Sequence, residues 1–213
     1  MALTLTTPNT VLGALAPKDG AARLATNLAT VVLGSLLLWA SAKISVPITP
    51  VPVSLQSFAV AVLAAFFGWR IAVSTMLLYI AEGLSGLPVF AYGGGWQYIL
   101  SPSFGFILGW LPMAFIIGLA ADHGLSGKVL PLFGAMLIGD AVSFAFGFSW
   151  LLAAGNIIVS TGAALPGWLD ANNLVATAFD GAVKPFVLWD IGKMAFAAVT
   201  VAGVWQLARK RAA

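Results

Sequence analysis

The feature that most constrains this chain is a succession of unbroken apolar stretches, each about 20 residues long, the length a helix needs to cross a bilayer. Strands of an outer-membrane barrel would alternate apolar and polar residues over roughly ten positions, and no such alternation is seen. Charged residues make up 8% of the chain and hydrophobic ones 61%, whereas a soluble domain is about one quarter charged. That much apolar surface cannot be hidden inside one soluble core, so the solvent for most of it is lipid. The sequence predicts an all-α integral membrane protein with six transmembrane helices, at 21–42, 54–68, 71–90, 103–121, 129–153 and 185–207. The second is short for a full crossing, which implies tilt or protein-buried ends. Between the fifth and sixth, residues 154–184 read as an interfacial loop with a short surface helix around LPGWLDANN.

Basic residues orient the bundle. Lys18, Arg23, Arg70, Lys128, Arg209, Lys210 and Arg211 fall on one side, against Lys43 and Lys184 on the other and Lys193 within a span. The positive-inside rule makes the first side cytoplasmic. Both termini are then inside, and the loops at 43–53, 91–102 and 154–184 are outside. The expected layout is a cytoplasmic tail over 1–20, one membrane domain over 21–207 and a basic cytoplasmic tail over 208–213. Residues 1–17 lack a basic start and a long apolar run, so a cleaved signal peptide is not expected there. The basic residues sit next to helix ends and encode topology, not a nucleic-acid surface. With no cysteine there is neither disulfide nor thiolate ligation. One histidine and scattered carboxylates show no metal-ligand spacing, so no metal or cofactor is expected.

Ionisable residues inside the spans are few: Glu82, Asp140, Asp190 and Lys193. Each costs about 2.5–3.5 kcal/mol at a bilayer centre on insertion scales. Asp190 and Lys193, three residues apart, share a helical face and can neutralise one another. They can pin span six to its neighbours, or they can face a polar ligand. The second reading gains from two loops predicted on the same side. One, KISVPITPVPVSLQSF, is stiffened by Pro47, Pro50 and Pro52 and ends near Gln56, whose amide offers both a donor and an acceptor. The other, GLPVFAYGGGWQYILSPSFGF, sets three glycines among Phe90, Tyr92, Trp96 and Tyr98. Aromatic residues are common at any membrane edge, but that belt does not account for the glycines.

PVPVSLQSF, YIAEGLSGLPVFAYGGG, SPSFGFILGW and PFVLWDIGK occur in that order. Together they resemble the BioY family, the biotin-binding S components of energy-coupling factor (ECF) vitamin transporters, over roughly residues 40 to 195. The resemblance implies a six-helix bacterial inner-membrane protein that binds biotin near the outer face, with Asp190 and Lys193 helping to hold it. Phe90, Tyr92 and Trp96 would pack on the bicyclic ring and aliphatic tail. Gln56 would lie nearby, and the proline-rich loop would close above. Lys43, Gln97 and Tyr98 are candidates for the ligand carboxylate, and Glu82 and Asp140 have no assigned role. Biotin is here a transported ligand, not a cofactor.

The resemblance also implies partners, a transmembrane coupling subunit and ATPase subunits, beside the membrane lipid. Ala21, Ala25 and Ala29, flanked by Leu24 and Leu28, form a small-residue stripe of the kind that lets another helix approach closely. It reads equally as a docking face or as an internal packing seam. No nucleotide-binding G-x-x-x-x-G-K-[ST] occurs, so energy has to come from partners. Two rival readings remain in view. GLSG at 83–86 and 124–127 is similar to the serine motif of rhomboid-type proteases, but the only histidine, His123, reaches no site on the outer side. A stand-alone carrier could use Glu82, Asp140 and Asp190 as proton-relay groups.

Overall fold

The computed structural model describes residues 9–15, 17, 20–47, 50–162 and 164–212. Of the residues that orient the bundle, Lys18 lies outside these, as do the side chains of Arg209, Lys210 and Arg211. The first eight residues of the predicted N-terminal tail lie outside them too. The chain opens with a short helix α1 (Val11–Leu15) and a long helix α2 (Gly20–Lys43). A small hairpin, β1 (Ser45–Val46) and β2 (Val53–Ser54), leads into α3 (Gln56–Phe67) and α4 (Trp69–Leu84). Then follow α5 (Phe104–Asp122), α6 (Val129–Ser160), α7 (Leu174–Ala182) and α8 (Lys184–Ala212). Short 3-10 turns stand at Trp96–Leu100, Leu125–Gly127 and Ala171–Asn173.

Each of the six apolar stretches holds a helix. Among the described residues four helical stretches are long and apolar enough to cross a membrane: α2, α5, α6 and the run Ala171–Ala208 that contains most of α8. With 12 residues, α3 is about 18 Å long, and α4 has 16 residues. Gly68 joins them with φ +81°, and a Cβ there would collide with the Asp122 carboxylate. Only glycine serves both demands. Two predicted boundaries moved. The third span stops at Leu84, not at 90, because Ser85 caps it, Gly86 turns at φ +106° and Pro88, which cannot continue a helix, sits in a turn closed by Val89 N–H donating to Leu87 C=O at 2.8 Å. The fifth runs on to Ser160, because α7 folds back against it: Leu151, Ala178, Ala182 and Phe186 make a satellite core, and Gly155 seats Leu174.

The main core joins α2, α3, α4, α5, α6 and α8 through Leu38, Val60, Met76, Tyr79, Met113, Ile117, Met136 and Met194, all at most 1% exposed. Small residues set the closest approach. Cβ atoms built at Gly105 and Gly147 of the α5–α6 pair would run into Trp150 and Phe106, and one at Gly109 would stand 2.8 Å from Ser143 Cα. Close backbone contact through glycine is how spanning helices gain packing energy where no hydrophobic drive separates them from lipid. Pro112 sits within α5, and α5 continues through it. The β hairpin pairs Ser45 with Ser54 and Val46 with Val53, and Leu55 N–H donates to Ile44 C=O at 3.2 Å. This pairing brings the chain back over one end of the bundle, with Val51 and Pro52 buried beneath.

Candidate ligand-binding site

On α8, Asp190 and Lys193 lie one turn apart and form an ion pair of 2.7 Å, with side chains 7% and 12% exposed. A second element completes the pair. Ser57, in the first turn of α3, donates to Asp190 Oδ1 at 2.7 Å, while Lys193 Nζ donates to Ser57 Oγ at 3.2 Å and to Ser54 C=O at 2.8 Å. The ammonium therefore ties α8 to the end of the hairpin. A carboxylate and an ammonium with shared hydrogen bonds can exist in so dry a place; either alone would be strongly disfavoured.

Next to the pair runs a second polar chain. Ser54 Oγ donates to Gln56 Oε1 at 3.2 Å, Gln56 Nε2 donates to Tyr79 Oη at 2.7 Å, and Tyr79 O–H donates to Val89 C=O at 2.9 Å. Phe90 lies between Tyr79, which it meets edge-on, and Tyr98, against which its ring is tilted, with ring centroids 5.3 and 4.5 Å away. Gly83 makes room for the Phe90 ring, which a Cβ would strike. The Tyr98 hydroxyl meets Ser103 Oγ at 3.1 Å. Burial pushes its pKa up, against the Ser103 hydrogen bond, so it stays a neutral donor and acceptor.

Two small voids lie against these groups. One, of about 40 Å³, is lined by Ser57, Asp190 and Lys193 together with Asp140, Ser143 and Trp110. The other, of about 30 Å³, is lined by Gln56, Tyr98, Ser103 and Trp110. Val51, Pro52 and Ser54 border both, as do Phe106 and Trp110 of α5, so the hairpin forms one side of the wedge between them and α5 the other. Each holds roughly a water molecule. A far larger cavity, about 810 Å³, lies between the hairpin, α3 and α8, and Lys193 and Ser54 form part of its wall. Apart from Ser45 its other walls are apolar and open outward, with Leu188 80% and Phe196 66% exposed. Exposed apolar walls of that kind suit lipid, so the pair of voids, where the buried polar groups converge, is the better ligand site.

Of the residues singled out in the sequence, the structure gathers Asp190, Lys193, Gln56 and Tyr98 around the wedge, with Phe90 supporting Tyr98 from behind. Tyr92 and Trp96 are 59% and 72% exposed and line neither void. Lys43 Nζ donates to Phe90 C=O at 2.8 Å, and Gln97, exposed, reaches Gly94 C=O at 3.4 Å. Glu82 accepts from Ser35 Oγ at 3.2 Å, linking α4 to α2. Ser54, Ser57, Tyr79 and Trp110 were missed, since nothing in an apolar segment marks a serine or an aromatic ring as polar machinery. The serines of the two GLSG stretches serve structure, Ser85 locally and Ser126 by tying its turn to α3. Ser85 donates to Glu82 C=O, Ser126 donates to Ala65 C=O, and His123 Nδ1 lies 2.7 Å from Leu119 C=O.

The description "BioY family" belongs to a family model that matches residues 12–210. The chain belongs to the BioY family. Among its relatives, the probable biotin transporter BioY of Lysinibacillus sphaericus is 33% identical over 131 residues, 62% of this chain and 67% of that protein. The biotin transporter BioY of Thermotoga maritima is 31% identical over 170 residues, 76% of this chain and 86% of its own. The fold is also that of a crystal structure of the S-component for biotin from an ECF-type ABC transporter. The TM-score is 0.68 at 21% identity, over 86% of this chain and 93% of the other. BioY proteins are transporters rather than enzymes, which disposes of the hydrolase reading of the GLSG stretches.

Proposed function

We propose that this BioY family member is the substrate-binding S component of a biotin importer. In this reading it takes biotin at the outer face of a bacterial inner membrane and releases it inward with ATP-driven partner subunits. Six spans with both termini cytoplasmic belong to the same proposal. α3 and α4 complete the six, and the exposed side of the hairpin faces out. The observation that carries the reading is the buried Asp190–Lys193–Ser57 cluster under the hairpin, in a family whose named relatives transport biotin. Biotin's ureido ring offers two N–H donors around one carbonyl acceptor. A carboxylate and an ammonium side by side match that pattern and bind it strongly where water is excluded.

Pockets for ligands of this size are about 300–1,000 Å³, far beyond the two voids. Entry of biotin therefore requires the shared wall to open, and in this reading its Val51–Pro52–Ser54 side withdraws from Phe106 and Trp110, merging the voids into one chamber reaching from Asp190 to Tyr98. Gln56 and Tyr98 then line the part of the chamber away from the ion pair. The proline-rich wedge gives up little conformational entropy when it closes again. Calorimetric titration of the purified, ligand-stripped protein with biotin tests the reading. One-to-one binding that Asp190→Asn loses is expected, and a folded, monodisperse wild-type protein that gives no heat overturns it.

A further inference from the structure

Two polar groups at the site have no task in the account so far. Asp140 and Ser143, one turn apart on α6, are 6% and 3% exposed and line the same void as Asp190 and Lys193. Neither makes a hydrogen bond or ion pair among the described residues, although the Asp140 carboxylate interacts electrostatically with both members of the α8 pair. Their buried neighbours differ: Gln56, Ser57, Tyr79, Ser103 and Asp190 all have partners. Among the described residues the fully enclosed side-chain atoms without a partner are Asn27 Oδ1 and Trp150 Nε1, so the Asp140 and Ser143 oxygens open onto the void they line. An acid within a span weakens insertion, and a leucine at 140 would avoid that penalty. No group of three metal-ligating side chains exists among the described residues, so a cation does not account for Asp140.

We infer that Asp140, with Ser143 beside it, is a second polar wall of the ligand chamber, and that its carboxylate accepts one of the two N–H groups of the cyclic urea. The inference rests on the biotin reading above. In a five-membered cyclic urea the two N–H bonds diverge on either side of the carbonyl, so one carboxylate cannot accept both. Asp190 takes one and Asp140 the other, while Lys193 donates to the oxygen between them. This arrangement gives every charged group on the void a hydrogen-bond partner in the ligand once it is in place.

Calorimetry in detergent on wild type and Asp140→Ala, with biotin and with each of the two biotins methylated at one ring nitrogen, tests this. Asp140→Ala weakens biotin by about 10- to 100-fold. For one methyl isomer the alanine variant then brings no further loss, because the bond it removes is already missing; for the other isomer the losses add. Asp140→Leu provides a second line should the alanine variant purify poorly. It is expected to raise the melting temperature while lowering biotin affinity by a similar factor, a split that a purely structural role does not produce. Wild type that binds biotin with unchanged affinity in both variants overturns the inference and leaves the proposed function standing. So do losses that add for both isomers. Wild type that does not bind biotin removes both.

Discussion

At the scale of residues, Asp190 and Lys193 pose a question that single substitutions cannot answer, because breaking a buried pair harms fold and ligand alike. Lys193→Ala leaves the Asp190 carboxylate with the Ser57 hydroxyl as its hydrogen-bond donor and is expected to destabilise by about 3–5 kcal/mol. Replacing both partners by apolar residues of similar volume is often neutral or stabilising. Asp190→Leu with Lys193→Met should therefore melt close to wild type yet bind no biotin. A double variant that melts as low as Lys193→Ala would assign the pair to structure instead. The pair itself was legible in the sequence because two charges in an apolar run are costly and visible. Its hydrogen-bonding partner was not: Ser57 carries almost no penalty within a span, so it became conspicuous only when folding placed it 2.7 Å from Asp190.

At the scale of elements, continuous hydrophobicity located all six helical stretches, since lipid demands an apolar surface whatever the neighbours. Their ends were less legible. Leu84 and Ser160 are set by a turn at Gly86 and by α7 folding back on α6, and both depend on contacts between segments distant in sequence or on glycine geometry. The hairpin was read only as a stiff loop, because two-residue strands have too few side chains to show a period. The helix pair α5–α6, which carries Trp110 and Asp140 to the site, depends on the glycine seam. Gly109→Ala places a Cβ 2.8 Å from Ser143 Cα and O and is expected to cost about 1–3 kcal/mol as overpacking. Gly134→Ala on the same α6 meets nothing within 4 Å and should gain about 0.5–1 kcal/mol from helix propensity. Thermal melting in one detergent compares them; equal shifts for the two would show that the seam does not fix the spacing of α5 and α6. Because Ser143 lies on the void, Gly109→Ala should also weaken biotin binding, whereas Gly134→Ala should leave it unchanged.

At the scale of the whole molecule, the first half of α2 stands largely outside the bundle. Its buried residues are Asn27, Gly34, Ser35, Leu38, Ser41 and Ala42, most of them in its second half, where Gly34 lets Thr75 of α4 come close. Over its first half Ala21, Ala25 and Ala29 are exposed, with Leu24 52% and Leu28 56% exposed beside them. The sequence left the alanine stripe open between an internal seam and a docking face, and among the described residues nothing buries it. Under the proposed function, a subunit that works with ATP-driven partners needs a surface through which their movement reaches it. A stripe of alanines between leucines suits a partner helix, because backbones approach closely only over small side chains. Ala25→Trp tests that surface on the intact molecule. An exposed substitution of this kind changes stability by about 0.5 kcal/mol or less, so melting temperature and biotin affinity should match wild type. Co-purification with the transmembrane coupling subunit, and biotin uptake by cells that express the full set of subunits, should both be lost. Retained co-purification would move the docking face off this half of α2. A fall in melting temperature would restore the internal seam.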